Sequence, residues 1–369
     1  MHRFMRLIPA LCLAALALHA HAAGAKGSAW QDCARLGDDT RRLACFDQWA
    51  RQQTPPANPA APTHADPVPP SGAQTAALPD LPAPEGDGCR NGPGTTLSRF
   101  WELETGSDCG TLRFRGYRPV SVSVVTANSV NQQPGSENPL NNASGLTPYK
   151  RTEMRLQLSV RTKLAKNLFT RGGGTARDSL WFGYTQQSYW QLFTPAISRP
   201  FRNTDHEPEL IYVYPTTAEL PGGWRWRYSG IGLVHQSNGQ SLPLSRSWNR
   251  VYLMTGMEHG DDWLVTARVW QRLHESAASD DNPDISDTIG RAELSLAWNA
   301  TQGDTFVLTA RHTLRAHARG SMRLEWLHRL GEYSNLRLHT ALFSGYGDSL
   351  IDYNRRRTVL SIGLSLLDF

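Results

Sequence analysis

Residues 356–369 read RRTVLSIGLSLLDF. Within them Leu360, Ile362, Leu364 and Leu366 alternate with Ser361, Gly363 and Ser365. Successive side chains of a β-strand point to opposite faces, so this stretch predicts a strand with one apolar face and one small, polar face. A water-soluble barrel can give the same alternation. An exported chain ending on such a strand with a terminal Phe369 fits a bacterial outer-membrane barrel better. There the apolar face meets lipid, the polar face lines the lumen, and closure leaves no unpaired edge.

The same texture extends upstream. Twelve alternating segments are expected, at 112–126, 150–164, 179–192, 208–215, 225–236, 247–257, 262–274, 288–300, 304–313, 319–329, 334–344 and 356–369. Turn residues such as Gly303-Asp304 and Gly331-Glu332 separate them. No run of 18 apolar residues occurs, which excludes a transmembrane helix. The expected fold is therefore all-β, a twelve-stranded antiparallel transmembrane barrel over 95–369. An even strand number returns both ends to the periplasmic side. Two aromatic groups at strand ends suit interfacial girdles: Trp181, Phe182, Tyr189 and Trp190, and Trp224, Trp226 and Tyr228. Ordinary packing is the alternative for each.

Composition agrees. The chain is 40% hydrophobic, 9% aromatic and only 19% charged, with 31 Gly, which suits short strands and many turns. The N-terminus has the form of an export signal: basic Arg3 and Arg6, twelve apolar residues at 7–18, and Ala20-His21-Ala22 as a cleavage site. Twelve residues are too few to cross a bilayer as a helix. Of the formal +5, Arg3 and Arg6 carry two, leaving +3 for the mature chain. That charge, without a dense basic track, argues against nucleic acid as a partner. Arg355-Arg356-Arg357 reads as a solvated or membrane-surface turn.

Four cysteines follow the signal: Cys33, Cys45, Cys89 and Cys109. An even number in an exported chain suggests two disulfides. Sequence order favours Cys33–Cys45 and Cys89–Cys109, with all three pairings open. Residues 23–53 predict a small helical segment, from Trp30, Cys33, Leu36, Leu43, Phe46 and Trp49 at helical spacing. A linker is expected over 54–94, where 10 Pro and 8 Ala fall within residues 54–84.

The residues that suggest chemistry lie in Gly232–Leu253. His235 and Ser237 are two apart on a predicted strand and so share a face. An imidazole beside a hydroxyl can take its proton as the oxygen attacks a carbonyl. If 225–236 and 247–257 form a hairpin, Asn249 returns level with His235 and can orient the ring through its other nitrogen. His-x-Ser alone is common and mostly structural. Two acidic stretches carry less. Asp205-His206-Glu207 cannot gather one metal, because neighbours on a strand point to opposite faces. Asp280-Asp281-Asn282-Pro283-Asp284 lacks the Gly and closing Glu of a helix–loop–helix calcium loop.

HQSNG at 235–239 with SRSWNR at 245–250 resembles the signature of outer-membrane phospholipase A. YTQQSYWQL (184–192), PFRNTDHEPEL (200–210), DDNPDI (280–285) and SGYGDSLIDYN (344–354) resemble further segments of that family, in the family's order. The likeness covers roughly residues 95–369. It implies a twelve-stranded outer-membrane barrel that hydrolyses phospholipid acyl esters at sn-1 and sn-2. By motif position it makes Ser237 the nucleophile, His235 the general base, Asn249 the orienting residue and the Gly239 amide an oxyanion donor. It further implies Ca²⁺ and a homodimer. The calcium ligands would be Ser198 of the partner subunit, then Gln240, Ser245 and Asp281, and Gln186 would lie at the dimer face. Two positions depart from the family type, which has Arg where Gln240 stands and Asp where Leu242 stands. A backbone carbonyl ligand survives the first change, but a carboxylate ligand does not survive the second. A passive pore or a lipid-binding barrel would share the strand pattern, yet neither has a use for His235, Ser237 and Asn249 on one hairpin.

Overall fold

The computed structural model describes residues 30–53, 94–170, 175–277, 279–316, 319–331 and 334–366. The signal sequence, residues 54–93 and Phe369 lie outside them. The chain divides into two compact units. In the first, α1 (Trp30–Ala34) and α2 (Asp39–Gln53) are stapled by a Cys33–Cys45 disulfide. Gly37-Asp38 breaks the helix, and the Asp38 carboxylate accepts from the Arg41 amide at 2.9 Å, the N-cap that starts α2. Cys109 is also disulfide-bonded. Its expected partner, Cys89, lies outside the described residues.

The second unit opens with α3 (Thr96–Trp101) and continues as one antiparallel sheet. Its strands are β1 (Phe114–Gly116), β2 (Val120–Ala127), β3 (Thr152–Lys166), β4 (Ser179–Trp190), β5 (Asn203–Leu220), β6 (Trp224–Ser237) and β7 (Ser247–His259). β8 (Trp263–Arg272), β9 (Ala292–Asn299), β10 (Asp304–His312), β11 (Gly320–Arg329), β12 (Leu336–Gly345) and β13 (Arg357–Leu366) complete it. Neighbours in sequence pair with each other from β2 to β13, and β13 pairs back onto β2, so the sheet closes.

The thirteen segments occupy twelve positions. β1 lies opposite Val160–Thr162 and β2 opposite 152–157, end to end along β3. The expected first strand, 112–126, is thus one strand broken at Tyr117-Arg118-Pro119. Pro119 has no amide hydrogen to give the ladder, and Tyr117 turns into the interior, where it is 5% exposed.

Alternation decides what faces outward. Leu360, Ile362, Leu364 and Leu366 are about half exposed, while Val359, Ser361 and Ser365 are buried. Val122, Val124, Leu158, Leu210, Leu253, Leu294, Leu324 and Leu342 likewise show their side chains on the outside. Such a continuous apolar belt belongs in lipid. The expected girdles are corrected in part. Trp181, Tyr189 and Tyr228 are buried inside, while Phe182 and Trp226 face outward. At the end of the barrel where β13 finishes at Leu366, Trp263, Trp298 and Phe306 stack at centroid separations of 5.4 and 5.8 Å.

The interior is filled. Toward that same end, Trp101 and Leu97 of α3 pack on Tyr117, Trp181, Ile211 and Tyr228. Above them, Arg118, Glu207, Glu209, Arg250, Arg268, Glu293 and Arg311 surround a cavity of only about 30 Å³. At the far end, Trp248, Ile285, Ile289, Leu350 and Tyr353 form a cap. One strand is longer than expected. The predicted segment 208–215 starts at Pro208, yet β5 begins at Asn203. The β5–β6 ladder passes from the His206–Ser237 pair to Glu209–Val234 and skips Glu207 and Pro208. The lost proline donor is absorbed there, while β4–β5 pairing runs on unbroken.

Candidate active site

The hairpin register is the one the spacing requires. His235 pairs with Asn249 and Ser237 with Ser247. Beyond the bulge in β6, from Ile231 on, the odd residues face outward: Ile231 is 45% and Leu233 51% exposed, and His235 and Ser237 continue that row. On β7 the outward row runs through Leu253 to Asn249 and Ser247, while Trp248 is buried. His235 Nδ1 lies 2.8 Å from Asn249 Oδ1. An amide oxygen accepts only, so Nδ1 carries the hydrogen and Nε2 keeps its lone pair. That is the tautomer a general base needs. The group sits on the outer wall directly above the apolar belt, at the end of the barrel away from Leu366, where β13 finishes.

The connecting loop is held by buried polar groups. Asn238, 3% exposed, accepts from the Arg246 amide at 2.9 Å through Oδ1 and donates to the Leu244 carbonyl at 2.8 Å through Nδ2. The Arg246 guanidinium donates to the Ser245 carbonyl at 2.6 Å and the Asn141 carbonyl at 2.9 Å. Burial alone depresses the Arg246 pKa, and the neighbouring Tyr353 and Asp281 oppose that drop. Gly239 follows with φ of +62°, a conformation that glycine adopts without strain.

Of the expected calcium ligands the structure brings two together. Ser245 Oγ donates to Asp281 Oδ2 at 2.6 Å. Ser247 Oγ reaches the same oxygen at 3.3 Å, and Asn141 Nδ2 donates to Asp281 Oδ1 at 3.0 Å. The donors here are a carboxylate and two hydroxyls, an all-oxygen set that suits Ca²⁺ rather than zinc. Among the described residues no cluster of three His, Cys, Asp or Glu could hold a metal. Gln240 turns elsewhere: its Nε2 donates to Asn203 Oδ1 at 3.1 Å and the Arg202 carbonyl at 3.3 Å. Within one chain Ser198 also stands apart, its Oγ donating to the Pro195 carbonyl at 3.2 Å and its carbonyl accepting from Trp190 Nε1 at 2.8 Å.

Gln186 lies on the outer face of β4, paired with Leu158 on β3 and His206 on β5. Its oxygen accepts from Tyr184 Oη at 3.1 Å and its nitrogen donates to Ser188 Oγ at 3.2 Å. The side chain therefore faces outward and not into the lumen.

Several residues around the site carried no signal in the sequence. Glu275, in the loop after β8, accepts from Asn249 Nδ2 at 3.1 Å. Asn141 reaches Asp281 from a loop 140 residues away. His206 pairs with Ser237 across β5–β6, and Tyr184 Oη sits 2.8 Å from its Nδ1. Ser247 was findable, because it lies two residues before Asn249 and must share its face.

The family whose model matches is Phospholipase A1, over residues 97–366. The chain belongs to this family. A putative phospholipase A1 of Neisseria meningitidis serogroup B is 38% identical over 280 residues, covering 74% of this chain and 70% of the relative. The phospholipase A1 of Escherichia coli K12 is 35% identical over 220 residues, 59% of this chain and 71% of that protein. Among solved structures, outer membrane phospholipase A from E. coli superposes with a TM-score of 0.59 at 29% identity, covering 70% of this chain and all of the other. The Salmonella typhi outer membrane phospholipase, a dimer with bound calcium, gives a TM-score of 0.59 at 28% identity, with 70% and 93% covered. This phospholipase A1 family member is thus a bacterial outer-membrane β-barrel of the ester-hydrolysing phospholipase type.

Proposed function

We propose that this chain is a calcium-dependent outer-membrane phospholipase that hydrolyses sn-1 and sn-2 acyl esters of phospholipids, as a homodimer, through Ser237, His235 and Asn249. The observation that carries the reading is the 2.8 Å contact between His235 Nδ1 and Asn249 Oδ1, with Ser237 in the same outward row. Ser237 Oγ attacks the acyl carbon, and its proton passes to His235 Nε2. Asn249 holds the ring in place while it becomes an imidazolium. The carbonyl electron pair moves onto oxygen, where the Gly239 amide is the donor. Collapse expels the lysophospholipid alkoxide, which takes the proton back from His235. Water, deprotonated by the same imidazole, then releases the fatty acid and restores Ser237.

Asp281 and Ser245 would hold Ca²⁺ together with the Gln240 carbonyl and Ser198 of the partner subunit. When bound, the cation supplies positive charge beside the developing oxyanion. The all-oxygen donor set supports this, as does the calcium-bound dimer named for the Salmonella relative. Gln186 would face the partner, since a polar residue on the lipid side favours pairing with another polar group. Among the described residues α3, the charge network and the cap occupy the interior, which supports hydrolysis over conduction.

Fatty acid release from phospholipid mixed micelles tests the reading. We expect release by the purified protein with calcium, none after chelation, and none from Ser237→Ala whose barrel is intact. Undiminished release from Ser237→Ala would sink the mechanism.

A further inference from the structure

We propose that Glu275 is a positioning residue of the hydrolytic site: it fixes which way round the Asn249 amide sits, and thereby selects the His235 tautomer that can act as base. The inference rests on the reading of Ser237, His235 and Asn249 given above.

An asparagine amide is nearly symmetric in shape but not in chemistry. One end accepts hydrogen bonds and the other donates two. If Asn249 turned over, an N–H would point at His235 Nδ1. The ring would then accept there and carry its hydrogen on Nε2, where Ser237 must deliver its proton. Aspartate has no such ambiguity, because both its oxygens accept. A site that uses asparagine therefore needs something else to define the amide.

Glu275 meets that need. Its Oε1 accepts from Asn249 Nδ2 at 3.1 Å, while Asn249 Oδ1 meets His235 Nδ1 at 2.8 Å. An ionised carboxylate cannot donate, so it is compatible with only one orientation of the amide. The position is supported from both sides. The Leu273 amide donates to the Asn249 carbonyl at 2.8 Å, which extends the β7–β8 pairing to within two residues of Glu275. Arg272 Nη2 stands 3.9 Å from Glu275 Oε2 and 2.5 Å from Asp280 Oδ1, and its Nη1 donates to the Asn282 and Pro283 carbonyls at 3.2 and 3.1 Å. Arg272 and Asp280 are the charged groups facing this carboxylate, with exposed His274 beside it in the chain. The Glu275 side chain is only 17% exposed, so its bond to Asn249 is partly shielded from water. The carboxylate also adds a negative charge one residue beyond a neutral amide, which favours the imidazolium formed when His235 takes a proton.

Four variants and one spectrum test this. For Glu275→Ala we expect kcat to fall about ten- to a hundredfold, less than the roughly 10⁴-fold loss that a wholly incorrect imidazole tautomer causes in a Ser-His-Asp triad because only part of the amide population turns over, with KM and heat-modifiable barrel mobility unchanged. In micelles, ¹⁵N NMR of His235 should show its population moving from the Nδ1–H to the Nε2–H form. In an Asn249→Asp background the sign should reverse. Aspartate needs no orienting and is repelled by Glu275, so adding Glu275→Gln should raise kcat rather than lower it. Unchanged kcat and an unchanged tautomer ratio in Glu275→Ala would overturn the proposal. So would a further fall in kcat when Glu275→Gln joins Asn249→Asp, which would assign Glu275 to loop packing. Ser237→Ala assayed in parallel separates the two levels. If it keeps activity the underlying reading fails; if it is inactive while Glu275→Ala is fully active, only this inference does.

Discussion

Asn249 gives His235 direction but no charge, and the chemistry of the site follows from that choice. In the proposed mechanism the imidazole must be neutral to take the Ser237 proton. We therefore expect kcat/KM to rise with pH and then level, measured on micellar substrate at constant calcium. A profile flat from about pH 5 to pH 9 would remove His235 from the base role. The core of the site was legible because strand geometry is simple. Residues two apart share a face, which joins His235 to Ser237, and hairpin register returns Asn249 to the same row. Glu275 was not legible, since it arrives from an irregular loop whose path no periodicity encodes. The proposed calcium ligands stand between these cases. Ser245 and Asp281 meet, but a ligand acting through a backbone carbonyl, as Gln240 would, leaves no trace in residue type.

The closing seam between β13 and β2 is where an element has least freedom. Gly363 faces the β2 backbone, and a Cβ there would lie 2.1 Å from the Val122 carbonyl oxygen and 2.5 Å from Ser123 Cα. Backbone cannot move aside as a flexible side chain can. Gly363→Val should cost about 1–3 kcal/mol or more and lower the thermal midpoint of the folded barrel, read by its shift in gel mobility. Gly363→Val with unaltered stability would show that the seam relaxes. Alternation located every strand position, because lipid outside and polar packing inside impose period two on each segment. It did not resolve the break between β1 and β2 or the true start of β5. Both turn on prolines, whose effect depends on which neighbour the lost donor would have faced. The aromatics misled for a related reason: adjacent positions such as Trp181 and Phe182 face opposite ways, one into the core and one into lipid.

Across the whole molecule, the far end is locked by buried charge. Asp352, fully buried, accepts from Arg357 Nη1 at 2.5 Å and Arg202 Nη1 at 3.1 Å, and Arg202 also grips Glu153 at 2.8 Å. Removing the Asp352 carboxylate leaves Arg202 to Glu153 alone and Arg357 to Asp348 alone, at 3.8 Å, so positive charge in a dry site is under-compensated. Asp352→Asn should cost about 3–5 kcal/mol, seen in the thermal midpoint. Acid should act in the same place. Burial alone would raise the pKa of Asp348 and Asp352, but Arg155 on the first, Arg202 on the second and Arg357 on both hold them below the ordinary 3.8. Their stabilisation is complete above that value and is lost as pH falls through the depressed native values. Loosening of the cap, followed by Trp248 fluorescence, should therefore begin only below about pH 4 and be weaker in Asp352→Asn.

Ser237, His235 and Asn249 stand on the outside of the wall and not in its lumen. On the proposed mechanism, substrate consequently arrives sideways, by lateral diffusion within a leaflet, and never dissolves in water on the way. The quantity that governs turnover is then the mole fraction of phospholipid in the surrounding film. Diluting that film with an inert amphiphile at constant bulk phospholipid slows the enzyme, whereas diluting the whole suspension leaves each barrel in the same two-dimensional neighbourhood.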